Sequence, residues 1–188
     1  HMTSRELETC ALRVLYFRNR IAVEFFHSIT DGNGGLVFLK TLTAAYVSLC
    51  DGISIPPEEG VLDWHMPPDP AEWEDSFLKV AGQVSMSRRE ENAFRIQGAR
   101  EQDGFLHLTV ATVSSEALRT LAKAHGVTIT AFLAAVMLQA IMELRPRRSH
   151  RWAKVTIPVD LRRLFESRTL RNFALTVNVG VDPRLGAY

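Results

Sequence analysis

Residues 26–32, with the sequence FHSITDG, decide the fold, because they join an apolar run to the start of a helix. Residues 10–17 and 20–27 are rich in Val, Leu, Ile, Tyr and Phe, and the charged and polar residues between them suit a short hairpin connection. Apolar residues at helical spacing then predict a helix that follows Gly35 and ends near Asp51. The first ordered unit is therefore predicted to be a strand pair, a tight turn and a helix.

The turn contains an H-x-x-x-D-G pattern formed by His27, Asp31 and Gly32. A histidine at the end of a strand is held by the sheet while its edge faces a cleft, and the positive end of the next helix disfavours imidazolium. His27 is therefore a candidate general base. The same helix end favours the Asp31 carboxylate, which can pair with a distant arginine, and Gly32 permits the tight turn. Without other evidence, a histidine after an apolar strand is more often structural than catalytic.

The rest of the chain is predicted to alternate helices and strands. Residues 51–104 hold five prolines and scattered charges, which predict a connecting region with one modest helix. The helix that begins at Thr128 or Thr130 is apolar almost all round, a pattern typical of a helix buried between layers. The other predicted elements are a helix over 71–80, a strand over 106–110, a helix capped at 114–116, and strands over 153–159 and 173–181.

Composition excludes several classes of partner. The net charge is +1, from 22 Lys and Arg against 21 Asp and Glu, so no basic field favours nucleic acid. The longest apolar run, 131–144, is shorter than the roughly 18 residues of a membrane span, so no span is expected. Cys10 and Cys50 are too few and too far apart for a disulfide framework, and we interpret them as reduced core thiols of a cytoplasmic protein.

Other kinds of site are disfavoured by spacing. Residues 32–35 are similar to a dinucleotide-binding turn, but Val37 stands where the third glycine is needed. The histidines share no metal-ligand spacing with one another or with the cysteines, so no metal is expected, and no G-x-S-x-G nucleophile motif occurs. The arginines at 145, 147 and 148 are typical of a solvated cluster near a helix end. The alternative is that they bind the phosphate groups of a ligand.

The order of features from about Ala11 to Pro183 resembles that of the chloramphenicol-acetyltransferase-like superfamily, which includes alcohol acetyltransferases and peptide-synthetase condensation domains. Residues 157–162 (IPVDLR) contribute to this resemblance, and residues 72–78 (EWEDSFL) and 169–173 (TLRNF) are similar to bacterial alcohol acetyltransferases. The resemblance implies an α/β fold, a two-layer sandwich with a mixed sheet that is two-lobed in the full protein. We expect His27 at the end of a central strand of that sheet.

The resemblance also implies the chemistry. It makes His27 the general base of an acyltransferase that moves an acyl group, by preference acetyl, from a coenzyme A thioester to an acceptor hydroxyl. Asp31 pairs with Arg162 in a structural role, and Gly32 keeps the backbone close enough for the acyl group to approach. Thr30 and Asn172 are candidate substrate-channel residues. The partners are acyl-coenzyme A, or a phosphopantetheine thioester, and a small-molecule acceptor, with no covalently bound cofactor.

One departure from the family concerns the acceptor. Many members have a second histidine immediately before the catalytic one, and Phe26 stands there in this chain. This difference favours alcohol acylation over condensation. Two alternatives stay open: a condensation-type transferase with a carrier-bound donor, and a non-catalytic interaction module of the same fold.

A second departure is length, because family enzymes are about twice as long or longer. The resemblance assigns residues 3–52 to the C-terminal part of a first lobe that carries the motif, 53–104 to a connecting region and 105–188 to the first part of a second lobe. Channel walls would then lie outside this chain, so the chain alone is expected to be inactive. Apolar faces of the first lobe would be uncovered, and we expect a homo-oligomer.

Overall fold

The computed structural model describes residues 2–58, 60–80, 90–99, 101–103, 105 and 107–185, and it has a mixed α/β architecture of helices and small antiparallel sheets. A single 3-10 turn spans Pro70–Glu72 among these residues. The elements in chain order are α1 (Ser4–Thr9), β1 (Leu12–Phe17), β2 (Arg20–Phe25), α2 (Gly32–Asp51), α3 (Ser76–Val80), α4 (Ser115–Ala124), α5 (Ile129–Leu144), β3 (Ala153–Asp160), α6 (Arg162–Phe165) and β4 (Ala174–Val181).

Contacts within the chain divide it into two compact units, and each is described by itself. The first unit is His1–Met86 with Pro158–Leu175, and the second is Ser87–Ile157 with Thr176–Tyr188. Residues 158–175 thus pack with the N-terminal part of the chain. The assignment of residues to two family-like lobes stays a prediction.

Strands β1 and β2 form the predicted hairpin, with Leu12 opposite Phe25 and Val14 opposite Val23. The side chains of β2 are mostly half-buried, whereas those of β1 are exposed from Val14 onward, and β2 leads directly into the turn at residues 26–31. The prediction that His27 follows a central strand of a mixed sheet is wrong for the residues described: β2 pairs with β1 alone, and both sheets have two strands. A central strand needs a neighbour on each side, and no other described strand reaches this hairpin.

Strands β3 and β4 also pair antiparallel. The Leu161 amide donates to the Phe173 carbonyl at 3.1 Å, and the Thr156 hydroxyl donates to the Asn178 side chain at 2.7 Å, so residue numbers rise along one strand and fall along the other. Between the strands, α6 makes one helical turn. This connection returns the chain to the first unit, where it forms part of the site described below.

The core of the first unit centres on Phe173, which is fully buried. The Phe77 ring from α3 meets it edge-on, with 5.1 Å between ring centroids. Val80 and Leu161 complete the buried cluster, and Val159 and Phe165 pack against it. The core therefore joins α3 to the connection between β3 and β4, two parts of the chain that are distant in sequence.

Local signals located most helix ends. As predicted, Ser114 caps α4 and Thr128 caps α5, each by accepting a hydrogen bond from a backbone amide three residues later. Helix α2 begins at Gly32 and not after Gly35 as predicted, because the Asp31 side chain caps it by accepting from the amides two and three residues later. The helix predicted over 71–80 is present as the 3-10 turn and α3, with a break between them. The break coincides with Trp73–Asp75, where the backbone of Glu74 accepts a hydrogen bond from outside the helix.

Burial was predicted less well than helix ends. We expected α5 to be buried between layers, but Ala134 is its one buried residue, because α4 packs on one side of it and its other apolar side chains are half-exposed. The expected strand at 106–110 is absent over 107–110: Leu108 and Val110 are exposed, and no described strand pairs with them. Residue 106 lies outside the described residues.

Two further features concern the cysteines and the membrane prediction. Cys10 and Cys50 are exposed free thiols rather than core residues, because each lies at the end of a helix and not on its packed face. Among the described residues no single helix is both long enough and apolar enough to cross a membrane. Helices α4 and α5 meet those criteria together, but a bend of 83° separates them.

Candidate active site

The Asp31 carboxylate lies at the centre of the H-x-x-x-D-G site and is 3% exposed. Its Oδ1 atom accepts hydrogen bonds from the backbone amides of Asn33 and Gly34, both at 3.1 Å, which caps α2. Its Oδ2 atom accepts from Arg162 Nη1 and from the Phe173 amide, each at 2.8 Å. Asp31 therefore ties the start of α2 to a segment 131 residues or more away in the sequence.

Arg162, which is 9% exposed, uses three of its side-chain nitrogens. Its Nη1 donates to Asp31 and to Asp160 Oδ1, the latter at 2.9 Å. Its Nε donates to the Thr169 carbonyl and its Nη2 to the Arg171 carbonyl, both at 2.6 Å. A planar guanidinium fits this set of acceptors and a lysine does not. The pairing of Asp31 with Arg162 that the resemblance implies is confirmed, and both residues belong to the first unit.

Residues 169–173, here called the anchoring segment, hold the turn at residues 26–31, here called the His27 turn. The Thr30 hydroxyl donates to the Leu170 carbonyl at 2.6 Å. The Asn172 side-chain amide donates to the His27 carbonyl at 3.0 Å. Together with the Asp31 contacts, these bonds fix the backbone of the turn at its beginning and at its end.

Burial alone raises the pKa of Asp31, because it removes the carboxylate from water. Hydrogen bonds from Arg162, from the Phe173 amide and from the Gly34 amide outweigh that effect and hold the pKa below its usual value. Asp31 is thus ionised at neutral pH. A carboxylate with all of its lone pairs engaged in this way orders the site and is poorly suited to exchange protons with a substrate.

The His27 side chain is exposed, whereas its backbone carbonyl is bonded to Asn172. No hydrogen bond or ion pair to the imidazole is found among the described residues. The ring is therefore accessible on a turn whose backbone is fixed. Our prediction that it faces a cleft is not confirmed, because the large cavity of the first unit is lined by Ile29 and Thr30 of the same turn and not by His27.

The glycines at the start of α2 have different roles from the one predicted for Gly32. Gly32 has open space around the position of a Cβ atom, and its φ angle is not in the left-handed region, so the turn does not require glycine there. A Cβ at Gly34 would overlap the Leu170 carbonyl, and one at Gly35 would overlap the Phe25 ring. Close approach of α2 to its neighbours thus depends on Gly34 and Gly35.

A cavity of about 780 Å³ lies in the first unit, beside the His27 turn. Its walls come from the hairpin, α2, residues 62–72 and the anchoring segment, and Phe25, Phe38 and Trp64 are among its lining side chains. Thr30 lines the cavity. Asn172, the other residue that we assigned to a substrate channel, does not line it and instead holds the His27 carbonyl.

Asp160 and Thr169 belong to the site but were not singled out from the sequence. Asp160 stands two residues before Arg162, so a second carboxylate near this guanidinium could have been inferred from the local sequence. Thr169 contributes its backbone carbonyl, as do Leu170 and Arg171. Every residue type has such a carbonyl, so this role cannot be predicted from the sequence.

The fold and the site together define a mixed α/β protein with an exposed histidine on a turn held by a buried ion pair. No protein-family model matches the chain, and no curated protein matches it significantly. Within the part of the chain that is described, no three His, Cys, Asp or Glu side chains are grouped to hold a metal ion. The site thus combines an exposed imidazole at His27 with a buried, fully hydrogen-bonded carboxylate at Asp31.

Proposed function

We propose that this chain is part of an acyltransferase of the chloramphenicol-acetyltransferase-like superfamily, in which His27 is the general base. The reaction transfers an acyl group, by preference acetyl, from a coenzyme A thioester to an acceptor hydroxyl. The observation that carries this proposal is the ion pair at 2.8 Å between Asp31 and Arg162. The resemblance implies this particular pairing across 131 residues, and strand and helix patterns alone give no reason for it.

The proposed chemistry is direct transfer. The imidazole of His27 accepts the proton of the acceptor hydroxyl as its oxygen attacks the thioester carbonyl. The tetrahedral intermediate then expels the coenzyme A thiolate, which takes the proton back from the imidazolium. One carbon–oxygen bond forms, one carbon–sulfur bond breaks, and no acyl-enzyme is needed when both substrates are held in line.

The contacts of the turn explain why such a base needs Asp31 and Arg162. A general base must stay within about 2.6–3.2 Å of the proton that it abstracts, so its backbone cannot drift. The hydrogen bonds of Asn172, Thr30 and Asp31 limit that drift at the His27 turn. In this proposal the fold is the family's two-lobed, two-layer sandwich, the protein is cytoplasmic, and Thr30 and Asn172 lie near the substrate path.

A second candidate is a non-catalytic interaction module of the same fold. The observation that favours it is the absence, among described residues, of any group that hydrogen-bonds and orients the His27 ring. Catalytic histidines usually have such a partner. The two candidates differ in one measurable respect, because an interaction module releases no coenzyme A.

The test is the release of free thiol from acetyl-coenzyme A in the presence of a panel of alcohols, with the full protein that contains this chain. We expect turnover, and we expect His27→Ala to lower kcat by roughly 10²- to 10⁴-fold with little change in KM. His65→Ala, an exposed histidine of the same unit, is the matched control and should behave as wild type. Equal turnover of His27→Ala and wild type would remove His27 from the mechanism, and no turnover by wild type would favour the interaction module.

A further inference from the structure

The cavity of the first unit is not used by the proposed proton transfer, because His27 does not line it. Its volume of about 780 Å³ is within the range of roughly 300–1,000 Å³ that is typical of small-molecule sites. Apolar side chains supply most of its wall. They include Leu12, Phe25, Phe38, Leu42, Trp64 and Met66.

The hydroxyl groups in the wall are already engaged. The Thr41 hydroxyl donates to the Val37 carbonyl at 2.8 Å and accepts from the Leu62 amide at 2.9 Å. The Thr30 hydroxyl donates to the Leu170 carbonyl at 2.6 Å. Neither hydroxyl can donate a further hydrogen bond to a polar ligand in the cavity. The interior therefore suits an apolar group.

Acidic residues outnumber basic residues in the wall of the cavity. Asp63, Asp69 and Glu72 line the cavity together with one cation, Arg168. Arg168 is ion-paired with Asp69. The pKa of Asp69 is lowered chiefly by the hydrogen bond from the Ala71 amide, is raised in part by burial, and is lowered further by the Arg168 guanidinium. The remaining negative charge repels an anionic group and favours a neutral or cationic one.

We propose that this cavity binds a small amphiphile with a linear apolar tail and a neutral or cationic head, such as a long-chain amine or alcohol, and discriminates against carboxylates. Binding itself does not depend on the acyl-transfer chemistry. The use of the bound molecule as the acyl acceptor rests on the proposed function, since Ile29 and Thr30 line the cavity and belong to the His27 turn.

The experiment compares decylamine, decanol and decanoate, which share one chain length and differ in head charge, below their micelle concentrations. Trp64 lines the cavity and Trp73 and Trp152 do not, so quenching by bromodecanol that disappears in Trp64→Phe reports binding there. Calorimetry then ranks the three heads. We expect the amine and the alcohol to bind and the carboxylate to bind more weakly by on the order of tenfold.

Two variants on α2 locate the ligand. Ala45 lines the cavity, and Ala45→Phe should fill it and weaken decanol binding by on the order of tenfold. Leu49 lies on the same helix, is 87% exposed and does not line the cavity, so Leu49→Phe should bind as wild type does. Circular dichroism checks that both variants are folded.

Two more variants test the effect of the negative charge on ligand binding separately from acyl transfer. Glu72→Gln should strengthen decanoate binding by about two- to fivefold without changing decanol binding. His27→Ala should bind decanol as wild type does, because His27 does not line the cavity. If the wild-type protein binds decanol but shows no turnover, that result counts against the proposed function alone. Equal affinity for decanol and decanoate, or binding unchanged by Ala45→Phe, would overturn the proposal for the cavity.

Discussion

The two oxygens of Asp31 serve different parts of the chain. Oδ1 caps α2, and Oδ2 accepts from Arg162 and from the Phe173 amide. An asparagine in its place keeps one oxygen but presents an NH₂ group and no charge to the donors on the other side. The buried guanidinium is then left with Asp160 as its one carboxylate partner among the described residues.

We therefore predict that Asp31→Asn lowers the free energy of unfolding by about 3–5 kcal/mol, the cost of removing one partner of a buried ion pair. Urea unfolding followed by circular dichroism measures it. Asp75→Asn is the matched control, because Asp75 pairs with Arg171 at 3.7 Å on the surface, where such a pair contributes about 0–1 kcal/mol. An equal decrease in the free energy of unfolding in the two variants would show that the Asp31 ion pair stabilises the fold no more than a surface ion pair does.

The lowered pKa of Asp31 predicts a pH dependence of stability. The folded state binds the Asp31 proton less readily than the unfolded state, in which the pKa is about 3.9. The stabilisation is therefore fully present above that value and is lost as the pH falls through the lower folded pKa. The difference in unfolding free energy between wild type and Asp31→Asn should therefore decrease as the pH is lowered from about 5, down to the lowest pH at which the protein stays folded. This pH range is the one expected for a single paired carboxylate. A difference that stays constant with pH would mean that ionisation of Asp31 is not its source.

At the scale of the element, the start of α2 is set by its packing. The Phe25 ring lies against Gly35, and the Leu170 carbonyl lies against Gly34. The helix N-terminus consequently comes close enough to the anchoring segment for the hydrogen bonds of Thr30 and Asp31 to form. This arrangement links the packing of one helix to the position of the His27 turn.

We predict that Gly34→Ala destabilises the protein by about 1–3 kcal/mol, because the Leu170 carbonyl is backbone and cannot rotate away from the added methyl group. Gly32→Ala should be neutral or slightly stabilising, since its surroundings are open and alanine favours the helix by up to about 1 kcal/mol. Thermal unfolding of the two variants side by side measures this contrast. A larger loss for Gly32→Ala than for Gly34→Ala would contradict the packing described.

The sequence predicted elements where the signal is local and failed where it depends on a neighbour. The hairpin and the caps Ser114 and Thr128 follow from residue types within a few positions. Alternation at 106–110 predicted a strand, but a strand also needs a partner edge, and no described strand pairs with 107–110. The contribution of the anchoring segment was not predictable in detail, because much of it is made by backbone carbonyls that any residue supplies.

At the scale of the whole molecule, the division into two units could not be predicted from short-range sequence patterns. Residues 158–175 join the first unit through Arg162 and Phe173, which are contacts over more than 100 positions. The family resemblance supplied one of these contacts, the Asp31–Arg162 pair, and none of the others. Long-range pairing of this kind requires either a structure or a known relative.

Strand β1 bears on the expected oligomeric state. It is an edge strand among the described residues, and its Tyr16 and Phe17 side chains are 88% and 67% exposed. An exposed apolar edge strand recruits another strand, and in antiparallel self-pairing two copies would place Val14 opposite Leu15 of the other. Each aromatic side chain can bury about 150–250 Å², so the four from two copies would supply a large part of the roughly 1,200 Å² of a small stable interface.

We predict that the chain is a dimer or a larger homo-oligomer with β1 in the interface, as measured by light scattering across a range of concentrations. The double variant Tyr16→Lys and Phe17→Lys should be monomeric, because like charges on both edges oppose pairing. Leu144→Lys, an exposed apolar position in the second unit, is the control and should leave the mass unchanged. A wild-type chain that stays monomeric at all concentrations would contradict this prediction.

The central claim, that His27 acts as a base and not as a structural residue, is tested most directly by chemical rescue. The His27 side chain is exposed, so free imidazole can reach the position that it leaves in His27→Ala. In the full protein that contains this chain, we predict that added imidazole raises acyl transfer by His27→Ala in a concentration-dependent manner and does not raise transfer by Asp31→Asn, whose defect is structural. Residual transfer by His27→Ala that is the same with and without imidazole, or equal rescue of both variants, would contradict the account.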